Sequence, residues 1–334
     1  MPERALTRYY EILDGEQKAK YLLSKSRMVD FDPDSNDDLL WKIHSDTMST
    51  GSRPGRRTLL DLKSILGQRM LSRCRLCERA CDKDRAHGET GHCGVGSAKI
   101  SSDFLHMGEE PDLVPSYTVF FAGCTFNCAF CQNWDISTHP EAGTEIPASE
   151  MARKIELRAS ADGRRHTRAR NVNWVGGEPT SNLPFIIDVL RESRANLPQV
   201  WNSNMYMTER SMELLDGIVD VYLTDFKYGN DKCALRLSNA PRYLGVVERN
   251  HLLARTNGEM IIRHLVLPGH VECCTTPVLR WIAENLRDVR VNVMAQYRPE
   301  HRAREFPEIA HPLSMRDYEA AVALAEDLGL DLCD

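Results

Sequence analysis

Three cysteines at Cys124, Cys128 and Cys131 follow the spacing Cys-x3-Cys-x2-Cys within GCTFNCAFCQN. Three thiolates on one tight loop can hold three corners of a cubane iron–sulfur cluster, which leaves the fourth iron without a protein ligand. An iron open to a small molecule points to chemistry at the cluster, whereas a fully ligated cluster mostly moves electrons. The competing assignments are a zinc site of three cysteines and another ligand, or three structural thiols. Zinc favours paired Cys-x2-Cys spacing, which only one of the two gaps here has. Gly123 allows a sharp turn into the loop. Phe130, just before the third cysteine, is placed to shield a cluster from water and to pack on a flat ligand.

A second set lies upstream. Cys74, Cys77, Cys81 and Cys93 are spaced Cys-x2-Cys-x3-Cys-x11-Cys, with turn-forming glycines at 88, 91, 94 and 96. Four thiolates in so short a stretch read as a closed metal site, either structural zinc or a second iron–sulfur cluster. The Cys77–Cys81 gap is not the usual zinc-knuckle spacing, and the reading leans to iron–sulfur, with His87 and His92 as less favoured substitute ligands. These two sets account for seven of the eleven cysteines. Cys233, Cys273, Cys274 and Cys333 are scattered and read as buried or incidental thiols with no assigned role.

Composition limits what surrounds these sites. A chain of 334 residues accommodates one large catalytic domain and a smaller module. The net charge of −6 gives no global basic field, so neither nucleic acid nor an anionic membrane is expected as a partner. There is no apolar run long enough to span a bilayer, and the charged N-terminus lacks an apolar signal segment. A cytoplasmic location is therefore expected. Such a reducing compartment also argues against disulfides.

The elements that position the cysteines are legible as alternation. Residues 1–70 read as a helical extension, broken by the acidic stretch 30–38 and by the loop 50–57, where Arg53, Arg56 and Arg57 read as a solvated basic loop. Residues 71–112 hold the first cysteine set and little regular structure. From 113 to the end, β-rich runs at 117–122, 171–175, 199–203, 219–224, 260–266 and 290–295 alternate with helix-prone segments near 148–161, 182–195, 208–216, 241–255, 275–287 and 314–328. Strands alternating with helices predict a parallel sheet with helical crossovers, here an α/β fold in the form of a partial (β/α)6 barrel. Ligands of such sheets collect at the carboxyl ends of the strands. The Cys124 loop follows the first strand and the Gly176–Gly177 turn follows the second, so both are expected at one mouth.

Other motifs fall at the same end. VGGEPT places Gly176 and Gly177 where backbone can approach a ligand closely, with Glu178 supplying a carboxylate. Asn202, Ser203 and Asn204 follow the third strand as short polar groups. Asp225 and Lys227 alternate along an extended stretch and share a face. Arg263 on the fifth strand can grip a carboxylate with two parallel hydrogen bonds. His264 and His270 flank it. Gln296, Tyr297 and Arg298 are candidates for the cavity wall after the last strand.

The triple-cysteine loop with its preceding aromatic resembles the signature of the radical S-adenosylmethionine (SAM) superfamily. With RHLVLPGH downstream and the Cys74 module upstream, the chain is similar to the pyruvate formate-lyase-activating-enzyme-like subgroup. The resemblance implies that the open iron binds the amino and carboxylate groups of SAM, and that one electron releases a 5′-deoxyadenosyl radical that takes a hydrogen atom from the substrate. It implies that Gly176, Gly177 and Glu178 hold the SAM amino group, that Asn202 and Ser203 contact ribose, and that Asp225 and Lys227 help hold the SAM carboxylate or a nearby cation. It also implies a glycyl radical enzyme or other polypeptide as substrate, and an electron donor such as flavodoxin or ferredoxin. The departures from the ribose motif at Asn202 and Met205 leave that contact open. Two other readings compete. One is radical modification of a small molecule, peptide or RNA, with Arg164, Arg165, Arg168 and Arg170 as the RNA footprint. The other is a non-catalytic iron–sulfur electron carrier or sensor.

Overall fold

Runs such as SYTVFF and NVNWVG are almost wholly buried, as parallel strands with both faces covered must be. In a computed structural model, which describes residues 5–51, 54–160 and 168–333, these runs form one eight-stranded sheet. Its strands are β1 (Ile100–His106), β2 (Ser116–Phe121), β3 (Asn171–Gly176), β4 (Gln199–Ser203), β5 (Val221–Asp225), β6 (Glu259–Leu265), β7 (Arg290–Met294) and β8 (Asp331–Leu332). They lie side by side in chain order, and every neighbouring pair is parallel except β1 with β2. Strands β2 to β7 are the six expected units, each within two residues of its predicted bounds. Helices Ala148–Ser160, Leu183–Glu192, Glu209–Leu215, Tyr243–Asn257 and Thr276–Asn285 connect them, and Met315–Asp327 leads to β8.

Two elements differ from the sequence reading. Strand β1 lies inside the segment expected to have little regular structure. Its pattern ISSDFLH is half polar because it is an edge strand, and its Asp103 accepts from Tyr117 Oη at 2.7 Å and from Lys154 Nζ at 2.6 Å. A separate helix, Asp231–Ser238, precedes Tyr243–Asn257. Asn230 caps its start by accepting from Cys233 N, and Asn239, in the left-handed region at φ 50°, ends it.

The N-terminal residues form helices Thr7–Leu13, Lys20–Ser26, Asp37–Thr50 and Leu59–Ser72, the last opened by a capping box between Thr58 and Asp61. Their buried faces, through Tyr21, Leu40 and Leu62, share one continuous core with the barrel. Of the basic groups named above, Arg53, Arg164 and Arg165 lie outside the described residues. Arg170 packs over the rings of Tyr9 and Tyr10, and Arg57 over Phe31. Among the described residues no helix is long and apolar enough to cross a membrane.

Candidate active site

The loop after β2 turns at Gly123, whose φ of 85° suits glycine. It is held from below by the end of helix Asp231–Ser238, where Asn127 N donates to Ser238 O at 3.1 Å and Ala129 N to Leu237 O at 2.7 Å. The three sulfurs face one cavity of 380 Å³ at the carboxyl ends of the strands. Each has a polar neighbour on the chain. Phe126 N donates to Cys124 Sγ at 3.3 Å, Ser238 Oγ to Cys128 Sγ at 2.9 Å, and Ser137 Oγ lies 3.3 Å from Cys131 Sγ. Burial pushes the Cys124 thiol well up and the Cys128 thiol to about 11, so thiolates here require a cationic partner. Phe130 is buried, lines the same cavity and packs among Tyr228 and Tyr297, with ring centroids 6.5 and 5.9 Å away.

The second turn is locked onto the first. Gly177 N donates to Phe121 O at 2.8 Å. A Cβ on Gly176 would lie 2.1 Å from Phe121 N, and one on Gly177 would lie 2.1 Å from Gly123 O. The glycine pair is therefore required for backbone-to-backbone contact with the cysteine loop, as well as leaving its own backbone open to the cavity. The Glu178 carboxylate turns inward. It accepts from Thr180 Oγ1 at 2.6 Å, Ser203 Oγ at 2.7 Å, Thr180 N at 3.1 Å and Asn204 N at 3.0 Å. Burial raises the pKa of its carboxyl, and these four donors oppose the shift. Ser203 thus places its hydroxyl on Glu178, while Asn202 and Asn204 line the cavity. Asn204 Nδ2 also donates to Thr125 Oγ1 at 3.0 Å, tying the β4 loop to the residue after Cys124.

Asp225 and Lys227 line the opposite wall as an ion pair of 2.7 Å. Burial opposes the lysine's charge, but the Asp225 carboxylate outweighs it and holds the ammonium above its ordinary range. Arg263 also lines the cavity, but its carboxylate partner is internal. Its Nε and Nη2 grip Glu110 at 2.7 and 2.6 Å, and Nη2 also bonds Glu109. Asn173 and Asn292 complete this polar floor at 2.9 and 2.8 Å from the same carboxylates. His264 is a brace. Its Nδ1 donates to Phe226 O at 2.7 Å, its Nε2 lies 2.9 Å from Thr275 Oγ1, and burial lowers it to about 4. Gln296 reaches the cavity, whereas Tyr297 is buried with its hydroxyl on Ile309 O.

Residues 118–282 match the Radical SAM superfamily. The chain belongs to the radical SAM superfamily. It is 41% identical over 344 residues to "Uncharacterized protein MJ0674" of Methanocaldococcus jannaschii, covering 98% of both chains. It is 24% identical over 165 residues to the pyruvate formate-lyase-activating enzyme of Staphylococcus epidermidis, covering 46% of this chain and 62% of that one. Among solved structures it is similar to Streptococcus suis SuiB bound to S-adenosylmethionine, at 15% identity and a TM-score of 0.46, over 63% of this chain and 47% of that one. Membership implies a [4Fe-4S] cluster and SAM, and the cysteine loop fits the cluster. Sulfurs around one zinc ion stand about 3.8 Å apart, given bonds of about 2.3 Å. Among the described residues, no three of the radical SAM cysteines come within 4.8 Å of one another. Three thiols facing one cavity at the mouth of the sheet are the donor set that such a cluster takes.

The upstream cysteines also converge. Cys74, Cys77, Cys81 and Cys93 line one small cavity with Arg79, Arg85 and His92. Gly91 allows the approach of Cys81, since a Cβ there would lie 2.3 Å from its sulfur. His87 is exposed and paired with Asp84 at 2.8 Å. Arg79, in the Cys77–Cys81 loop, reaches across to donate from Nε to Thr125 O at 2.9 Å, so it joins this module to the radical SAM loop. Among the described residues, Arg79 Nη2 and Arg85 Nε are buried without a hydrogen-bond partner. Neither arginine stood out in the sequence. Ser238 gave no signal at all.

Proposed function

We propose that this radical SAM enzyme activates a polypeptide by taking a hydrogen atom from it, and that the target is a glycine Cα of a partner enzyme. One observation favours a polypeptide over a free small molecule. The sheet ends at β1, and that edge leaves an exposed apolar wall where Phe104 stacks on Phe120 at 5.4 Å and Met107 is 60% exposed. The wall runs into the cavity through Phe120, His106 and Glu109. An extended chain can lie along such an edge, its backbone completing the ladder. A small metabolite is better served by enclosure.

When bound, the cluster and SAM supply a hydrogen-abstracting 5′-deoxyadenosyl radical, with the electron coming from a flavodoxin- or ferredoxin-type donor. Cys124, Cys128 and Cys131 would hold the cluster. The Gly176–Gly177 backbone, Asn202 and the Asp225–Lys227 pair present the polar groups that would bind SAM. Glu178 orients the β3 and β4 turns through its four hydrogen bonds, with Ser203 among its donors. Phe130 and Phe126 exclude water from the loop. The Cys74 set we read as a second iron–sulfur centre, because its four cysteines line one cavity and the Cys77–Cys81 gap is not the usual zinc-knuckle spacing.

The test is anaerobic. Reduced protein and SAM are incubated with partner polypeptide deuterated at glycine Cα. Deuterium in 5′-deoxyadenosine supports the reading. Cleavage of SAM without deuterium transfer from any glycine-labelled partner overturns the substrate, and no cleavage with the cluster intact overturns the enzyme. Replacing Cys124 by Ala should reduce 5′-deoxyadenosine to background.

A further inference from the structure

Three cysteines to which the sequence assigned no role meet His270, one of the flanking histidines, at the same mouth. Cys233 lies on helix Asp231–Ser238, after β5. His270, Cys273 and Cys274 lie on the loop and π-helical turn Val271–Thr275, after β6. A π-turn is rare, and is frequent at functional sites. Among the described residues, Cys233, His270 and Cys273 are the only three or more potential ligand groups whose donor atoms all lie within 4.8 Å of one another. Cys233 Sγ and Cys273 Sγ are 3.9 Å apart. The edge of a tetrahedron of sulfurs around zinc is about 3.8 Å. This packing contrasts with the wider spread in both iron–sulfur candidate sets.

The surrounding groups are arranged as a metal's outer shell. His270 Nδ1 lies 2.8 Å from Pro268 O, and a carbonyl only accepts, so the proton sits on Nδ1 and the Nε2 lone pair is free. Asn230 ties the two loops together, with its Oδ1 accepting from Cys233 N and its Nδ2 donating to Cys273 O, both at 2.8 Å. Gly229 permits the contact, because a Cβ there would lie 3.0 Å from Cys273 O and 2.9 Å from Cys274 O. Cys274 is turned inward and 1% exposed, while Cys273 is exposed and leaves an entry path.

We propose that Cys233, Cys273 and His270 bind one thiophilic divalent cation, of which zinc is the best match, with the fourth position open to solvent. Two thiolates and an imidazole are a zinc ligand set. The ion staples helix Asp231–Ser238 to the β6 loop. That helix carries Ser238, whose hydroxyl bonds Cys128 Sγ and whose carbonyl supports the cysteine loop. The site thus braces the radical SAM loop from a distance of one short helix.

Zinc content and zinc-edge X-ray absorption of the anaerobically purified full chain test this. The expected result is about one zinc per chain, with two sulfurs at about 2.3 Å and at least one nitrogen at about 2.0 Å in its first shell. Cys273→Ser, at an exposed position, should lower zinc at least tenfold with iron and circular dichroism unchanged. His270→Gln should weaken zinc retention against a chelator. Wild-type protein without zinc, equal zinc in Cys273→Ser, or a Cys233–Cys273 disulfide in unreduced peptides would each overturn it.

Discussion

At the residue scale, two positions convert geometry into measurable energy. Gly176 has φ 128° and sits where a Cβ meets backbone atoms of Phe121, which cannot swing aside as a side chain would. Gly176→Ala must therefore part the ends of β2 and β3, where Phe121 faces Gly176 in register. A destabilisation of about 1–3 kcal/mol is expected by urea unfolding, as for overpacking in a core. Loss of 5′-deoxyadenosine formation should accompany it, since the same strand ends carry both turns. Arg263 is the opposite case, a buried charge whose removal strands two carboxylates. Burial pushes the Glu110 carboxyl up, but the Arg263 charge and hydrogen bonds outweigh it and hold it below the ordinary range. Its folded-state value thus lies below its unfolded one, so the pair's contribution is full above pH 4.5 and is lost as pH falls through the lower folded value. Arg263→Met should cost about 3–5 kcal/mol at neutral pH, the usual penalty for breaking a buried pair. A variant with unchanged urea midpoint at pH 7 would show that the floor of the cavity is not held by this pair. The sequence marked Arg263 as a carboxylate binder. That its carboxylate lies 153 positions away in the same chain was beyond any local pattern.

At the element scale, the six parallel strands were legible because burial on both faces demands uninterrupted apolar runs, and the Cys124 and Gly176 turns were legible because each follows such a run. Strand β1 was not, because an edge strand alternates polar and apolar residues too weakly to stand out beside a cysteine-rich loop. The Cys233–His270–Cys273 cluster was equally hidden, since two crossovers bring together residues about 40 positions apart and nothing local marks the meeting. The packing of helix Leu59–Ser72 on the barrel holds another long-range pair. Lys63 is fully buried, with Nζ 2.8 Å from His44 Nε2 and donating to Glu213 O and Leu214 O at 3.0 and 3.2 Å. These carbonyls close helix Glu209–Leu215, so the lysine fastens the N-terminal helices to the barrel. Burial lowers Lys63 to about 7 and His44 to about 2, and His44 is the neutral acceptor. Between about 7 and the ordinary 10.5 the unfolded chain holds a proton that the folded chain has released, so this group makes stability rise with pH across that window. Urea unfolding at pH 7 and 9 should show a rise on the order of 1–3 kcal/mol from this group. Lys63→Met should flatten that rise, and a variant with the wild-type pH dependence would reassign it.

At the scale of the molecule, two cysteine sets lie on either side of one arginine. Arg79 leaves the loop between Cys77 and Cys81 and bonds the carbonyl of Thr125, directly after Cys124. Burial lowers its basicity, while the cysteines of both sets pull the other way. Cys77 also bridges to Met207, and Glu78 N donates to Tyr206 O at 3.3 Å, so the upstream module is seated on the β4 loop that carries Asn204. A metal centre in this module therefore shares backbone with the radical SAM site and is not an appended finger. With two iron–sulfur centres, anaerobic reconstitution should load about eight irons per chain, four at each set. Cys74→Ala should load about four and keep the SAM-dependent change in the spectrum of the remaining cluster. Arg79→Gln should retain the iron of both sets but alter that spectral change, because the Thr125 carbonyl loses its charged donor. A reconstituted wild type with about four irons and a zinc bound by four sulfurs would make the upstream set a zinc site. Retention of eight irons by Cys74→Ala would mean that Cys74 is not a ligand, and the module would then owe its seating to Arg79 and the β4 loop alone.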